Sequence, residues 1–168
     1  HMAAELQNHA ELENRKVRDF ASTLVAALVD DDFSVFIQVG DGCAIVADYD
    51  DPAEFCWVFW PEPDGYVNET HFGSDAAVRS HFRFDYYKGR VDHVALISDG
   101  LQPIALHYAT QTAHSRFFAS MFAALEGPQS GFLLNRSDEL AYFLQSQRVT
   151  TRTDDDKSLI LASRTCSK

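Results

Sequence analysis

Two acidic turns hold the residues in this sequence best suited to chemistry. Ser98-Asp99-Gly100 closes the apolar run Val91-Asp92-His93-Val94-Ala95-Leu96-Ile97, and Asp154-Asp155-Asp156-Lys157 opens the run Ser158-Leu159-Ile160-Leu161-Ala162. Hard divalent cations take oxygen ligands from rigid positions, and carboxylates at strand ends supply them. The pair therefore points to metal-dependent hydrolysis. Each turn also has an ordinary reading. Asp-Gly is a common turn pair, because glycine supplies unusual dihedrals and aspartate bonds its own backbone. Asp41, between Gly40 and Gly42, reads the same way. Asp154-Asp155-Asp156 fits a solvated loop, although three adjacent like charges repel and invite a counterion.

Other chemistries are absent from the sequence. His71, His81, His93, His107 and His114 show no HExxH-type metal spacing. There is no P-loop, nucleophile elbow or dinucleotide fingerprint. A net charge of −11 disfavours nucleic acid and acidic membranes as partners. It fits cation binding, or simply solubility. The longest apolar runs, Leu24 to Val29 and Phe55 to Trp60, fall far short of the roughly 18 residues of a membrane span. Cys43, Cys56 and Cys166 have no metal spacing and leave one thiol over. This points to a reducing, cytoplasmic setting with Cys43 and Cys56 buried as small apolar residues.

The elements that must position the acidic turns follow from pattern. The 168 residues, 46% hydrophobic and 12% aromatic, fit one well-packed domain. His1-Met2 reads as the scar of a cleaved tag, which leaves residues 3–168 as that domain. Residues 3–19 are rich in helix formers and read as the end of a helix or a lead-in. The runs 22–29, 34–39 and 43–47, separated by Asp/Gly turns, predict an antiparallel meander. Residues 48–90 are rich in turn formers, with a strand over 55–60. A strand at 91–98 follows. Phe117, Phe118, Met121, Phe122 and Leu125 share one helical face, and Gly127-Pro128 stops that helix. A second helix begins near Ser137, with Leu140, Phe143 and Leu144 inward. A last strand spans 158–163. The fold class is α+β, with a mainly antiparallel sheet system.

Five short pieces, in order, resemble the metal-dependent protein phosphatases of the PP2C family, and most of all its bacterial branch. They are Ser22-Thr23-Leu24-Val25; Gln38-Val39-Gly40-Asp41-Gly42; Gly65-Tyr66-Val67-Asn68-Glu69-Thr70-His71-Phe72; Leu96-Ile97-Ser98-Asp99-Gly100-Leu101; and Asp155-Asp156-Lys157-Ser158-Leu159-Ile160-Leu161. The resemblance runs from about residue 18 to 163. It implies an antiparallel β-sandwich flanked by helices, with a binuclear Mn²⁺ or Mg²⁺ centre at one end. By position, Asp99 and Asp155 correspond to metal ligands, and Asp41 to a turn that supports the site. The implied reaction is hydrolysis of phosphoserine or phosphothreonine in a protein substrate by a metal-activated water.

One departure qualifies that expectation. The family draws further ligands from two N-terminal strands: an early acidic residue and an aspartate in an Asp-Gly turn. Upstream of Ser22, the acidic residues Glu5, Glu11, Glu13 and Asp19 sit in helix-like sequence. The sandwich is thus expected to be incomplete at its N-terminus. Its metal affinity should be reduced, its phosphatase activity weak or absent, and its exposed strand edges prone to homodimer formation. The alternative is a non-catalytic domain on the same scaffold that binds a partner through the aromatic segments 55–60 or 82–87.

Overall fold

The computed structural model describes residues 2–47, 51, 54–61, 72–74, 80–127 and 129–164. The motif segment 65–71, with Asn68, Glu69 and His71, lies outside the described residues, as do Pro128 and Cys166. In chain order the elements are α1 (Met2–Leu12), a 3-10 turn (Val17–Phe20), β1 (Leu24–Val29), β2 (Phe33–Val39), β3 (Cys43–Ala47), β4 (Phe55–Trp57) and β5 (Arg83–Lys88). There follow β6 (His93–Ile97), a 3-10 turn (Asp99–Leu101), α2 (Gln102–Ala105), β7 (Leu106–His107) and β8 (Thr112–Ala113). The chain continues through α3 (Ser115–Ala123), α4 (Leu134–Leu144), α5 (Gln147–Thr150) and β9 (Leu159–Ser163).

β1 and β2 form the expected antiparallel hairpin, with Ala26 opposite Ile37. The third run does not continue a meander. β2 pairs instead with β5, giving a three-stranded sheet β1-β2-β5. β3 crosses into a second sheet of order β4-β3-β6-β9. Side-chain chemistry accounts for the crossing. Cys43, Ala44, Ile45 and Ala47 are all buried, so β3 has no face suited to water. A central strand covered on both sides satisfies it, and Gly40, at φ 92°, permits the sharp exit from β2.

Three other expectations need correction. β5 lies in a stretch that reads as turns, yet Arg83-Phe84-Asp85-Tyr86-Tyr87-Lys88 is a fully paired strand along β2. Its residues are mostly exposed, so it carries little of the apolar signal that marks a buried strand. The strand expected over 55–60 ends at Trp57, because the chain bends there and turns Phe59 and Trp60 into the interior. Cys43 is buried as expected, whereas Cys56 is exposed. Along β4 Phe55 is buried while Cys56 and Trp57 reach solvent.

The sheets stack with Phe36 of β2 against Ala44, Val94 and Phe59. On the far face of the larger sheet, Ile45, Ala95 and Ile97 pack with Leu101, Phe118, Phe122, Leu144 and Val149 from the helical layer. The helices are amphipathic as predicted, although α4 starts one turn earlier, at Leu134. Phe118 is fully buried; cutting it back to alanine should cost about 3–5 kcal/mol. The architecture is an α+β antiparallel sandwich with α2 to α5 on one side. No helix among the described residues is long and apolar enough to cross a membrane.

Candidate metal centre

Strand register gathers the acidic turns. β6 and β9 are antiparallel with Ile97 opposite Leu159, so the end of β6 meets the start of β9. β3 and β6 are antiparallel with Cys43 opposite Ile97, which brings the β2–β3 turn to the same end. Asp99, Asp155 and Asp41 therefore converge although they are far apart in sequence. Ser98 stitches two of the turns together. Its N–H donates to the Ser158 carbonyl at 3.0 Å. Its Oγ accepts from the Ser158 N–H at 2.9 Å and donates to the Asp156 carbonyl at 3.3 Å.

Glycines make the approach possible. A Cβ on Gly100 would lie 2.2 Å from the Asp156 carbonyl oxygen and 3.2 Å from Asp155 Cβ. A Cβ on Gly42 would lie 2.4 Å from Val25 Cγ2 and 2.9 Å from the Ile97 carbonyl oxygen. Only a residue without a side chain fits at either place.

The electrostatics reflect this crowding. The Asp99 carboxyl is held above its usual range, first by desolvation and next by the charge of Asp41. Asp155 pushes the same way, against a hydrogen bond from the Gly100 N–H to Asp99 Oδ1 at 2.8 Å. Asp155 Oδ1 accepts from the Asp156 N–H at 2.9 Å. Lys157 Nζ donates at 2.6 Å to the Asp155 backbone carbonyl. Among the described residues no salt bridge reaches Asp99 or Asp155.

Two polar residues at this end were invisible in the sequence reading. Gln102, only 8% exposed, donates from Nε2 to the Asp41 carbonyl at 2.5 Å and accepts at Oε1 from the Tyr108 hydroxyl at 2.5 Å. The one signal for Gln102 was its spacing of three from Asp99 through a helical turn. Tyr108 left no signal. Its hydroxyl is raised above its usual range, chiefly by partial burial, with Asp41 and Asp99 acting the same way. Among the described histidines, His93 contacts Ser163 and Phe122, and His107 stacks on His114.

The donor chemistry suits hard cations. After desolvation, the charges of Asp41 and Asp155 raise the proton affinity of Asp99, and a divalent cation relieves that repulsion. The set is nevertheless short of a full coordination shell. Among the described residues, no three carboxylate, imidazole or thiol groups converge tightly enough to hold an ion by themselves. The fit is to part of a metal centre.

The order of sheets, the flanking helices and an acidic end built from strand termini define a scaffold of the phosphatase 2C type, and the sequence comparison agrees. The family described as Protein phosphatase 2C matches residues 1–145, and this chain belongs to that family. It is similar to Serine/threonine-protein phosphatase 3 of Escherichia coli strain K12, with 34% identity over 153 residues. That match covers 91% of this chain and 59% of the relative, so the chain spans about three fifths of that protein's length. The crystal structure of a bacterial serine phosphatase superposes with a TM-score of 0.59 at 18% identity, covering 99% of this chain and 66% of the other. Serine/threonine phosphatase Stp1 from Staphylococcus aureus gives 0.57 at 18% identity, covering 96% and 63%. These likenesses establish the shared fold.

Proposed function

We propose that this chain carries part of the catalytic centre of a protein serine/threonine phosphatase, with Asp99 and Asp155 as ligands for Mn²⁺ or Mg²⁺. The observation that carries the reading is the stitched junction between residues 98–100 and 156–158. A zero-side-chain contact at Gly100 and both hydrogen bonds of Ser98 Oγ hold Asp99 beside Asp155. Cations bound there would lower the pKa of water and offset charge developing on phosphoryl oxygens. The protein's own part is to hold the carboxylates rigid at one sheet end. Asp41 adds negative field to the same place. The substrate class is a phosphorylated protein. The thiols Cys43 and Cys56, which form no disulfide, suit a cytoplasmic location.

Two carboxylate ligands give weak metal affinity, so Mn²⁺-dependent hydrolysis of an aryl phosphate by these 168 residues should be weak. Asp99→Asn and Asp155→Asn should each reduce it to background. Turnover unchanged in both variants removes these residues from the site, and robust turnover contradicts the weak-affinity expectation.

A non-catalytic interaction domain is the second reading. It is favoured by β5, where Phe84 and Tyr86 are exposed beside Phe82. β5 and β1 are also the edges of the smaller sheet among the described residues, the place where a homodimer would form. A chain of that kind shows no Mn²⁺-dependent turnover in any form.

A further inference from the structure

Gln102 occupies an unusual position for a glutamine: almost wholly buried, at the start of a four-residue helix, and bonded at both ends of its amide. A carbonyl oxygen can only accept, so the amide nitrogen must face Asp41 and the amide oxygen must face Tyr108. The tyrosine hydroxyl must then donate. The orientation of each group is fixed by the next.

This chain of bonds extends the β3–β6 pairing, which is described as far as Cys43 opposite Ile97, into the turns beyond the strand ends. Gln102 lies one helical turn after Asp99, so the segment bearing the Asp99 carboxylate also grips the backbone of the Asp41 turn. Tyr108 is itself held in a frame. Its ring meets Trp60 edge-on at 5.6 Å, and Trp60 meets Trp57 edge-on at 5.5 Å. Trp57 Nε1 donates to the Gln111 carbonyl at 2.7 Å. The β7–β8 hairpin thereby braces the acidic end of the larger sheet.

We infer that Gln102 and Tyr108 are positioning residues for the metal centre: together they set the distance between the Asp41 turn and Asp99, and through it the affinity for a divalent cation. The inference rests on the metal-binding reading of Asp99 and Asp155. Partners of this kind, which orient ligands without touching the metal, typically change metal affinity by 10–100-fold when removed.

Gln102→Met keeps the length and volume of the side chain but loses both hydrogen bonds. Tyr108→Phe keeps the ring contacts and loses only the hydroxyl. Mn²⁺ titration followed by electron paramagnetic resonance should show affinity about tenfold or more weaker in Gln102→Met and a smaller loss in Tyr108→Phe. In the metal-free protein, amide hydrogen exchange at Asp41 and Gly42 should accelerate in both variants while exchange in β6 stays unchanged. Asp99→Asn separates the two ideas. If Asp99→Asn weakens Mn²⁺ binding and Gln102→Met does not, the positioning role is overturned and the metal centre stands. If Asp99→Asn binds Mn²⁺ as the unaltered chain does, both are overturned. Unchanged exchange at residues 41–42 in Gln102→Met also overturns the positioning role, independently of any metal.

Discussion

The two ends of this sandwich are both acidic, and they treat their charge in opposite ways. At one end the β1–β2 turn holds Asp30, Asp31 and Asp32, with Asp92 just before β6. Arg164 closes this end. Its guanidinium donates to the Val91 carbonyl at 2.9 Å, to Asp31 Oδ1 at 2.7 Å and to the Asp30 carbonyl, and lies 3.7 Å from Asp92. Arg90 adds a bond to Asp92 at 2.6 Å. At the other end Asp41, Asp99 and Asp155 converge, the Lys157 ammonium binds a backbone carbonyl, and Asp99 is forced up in pKa. One end is tied together by two arginines and serves as a structural staple between the sheets. The other gathers carboxylates that, after desolvation, raise the proton affinity of Asp99. The contrast separates an acidic loop that ties the fold together from one that we propose serves the chemistry.

The largest effect expected from perturbing that contrast is at Gly100. Gly100→Ala places a methyl against the Asp156 carbonyl. Overpacking of this kind costs about 1–3 kcal/mol. Chemical denaturation should show that loss, and Mn²⁺ titration should show binding lost as the two turns separate. At the opposite end, Arg164→Ala leaves the Asp30 and Val91 carbonyls without their partner. Loss of such bonds costs about 1–3 kcal/mol, of which the exposed pair with Asp31 contributes little. Mn²⁺ binding in Arg164→Ala should stay unchanged, which is the asymmetry the comparison requires.

A smaller effect, of opposite sign, belongs to Asp99 itself. Its carboxyl has a raised pKa in the folded protein. The folded state therefore holds a proton that the unfolded state has already released, and the group destabilises the metal-free protein above its folded pKa. Lowering the pH through that pKa restores stability, and below the unfolded value the effect vanishes. Metal-free Asp99→Asn should thus be slightly more stable than the unaltered chain at neutral pH. The gain should stay below about 1 kcal/mol because the carboxyl is largely solvated. The difference in melting temperature should shrink as the pH falls towards 4, near the ordinary value of an aspartate.

Much of this organisation was legible in the sequence. The apolar runs ending in Ser98-Asp99-Gly100 and beginning after Asp156 are strands, and their acidic turns are where the pattern placed them. What pattern could not supply was pairing. β3 has the composition of any short buried strand, and nothing local states that it leaves β2 for β6. β5 was lost because an edge strand with exposed aromatic residues carries little burial signal. The convergence of Asp99 with Asp155 is a consequence of the β6–β9 register, a long-range fact that only the resemblance anticipated. Gln102 and Tyr108 are polar residues whose roles exist only once three distant segments meet.

Thermal unfolding with and without Mn²⁺ tests the account most directly, with the unaltered chain set beside Asp99→Asn, Asp155→Asn and Arg164→Ala. A ligand present at a hundred times its Kd stabilises the folded state by about 2.7 kcal/mol, which for a chain of this length is roughly 5–10 °C. The account predicts that rise in the unaltered chain and in Arg164→Ala, and its loss in Asp99→Asn and Asp155→Asn. An equal rise in all four proteins, or a rise abolished only by Arg164→Ala, would contradict it.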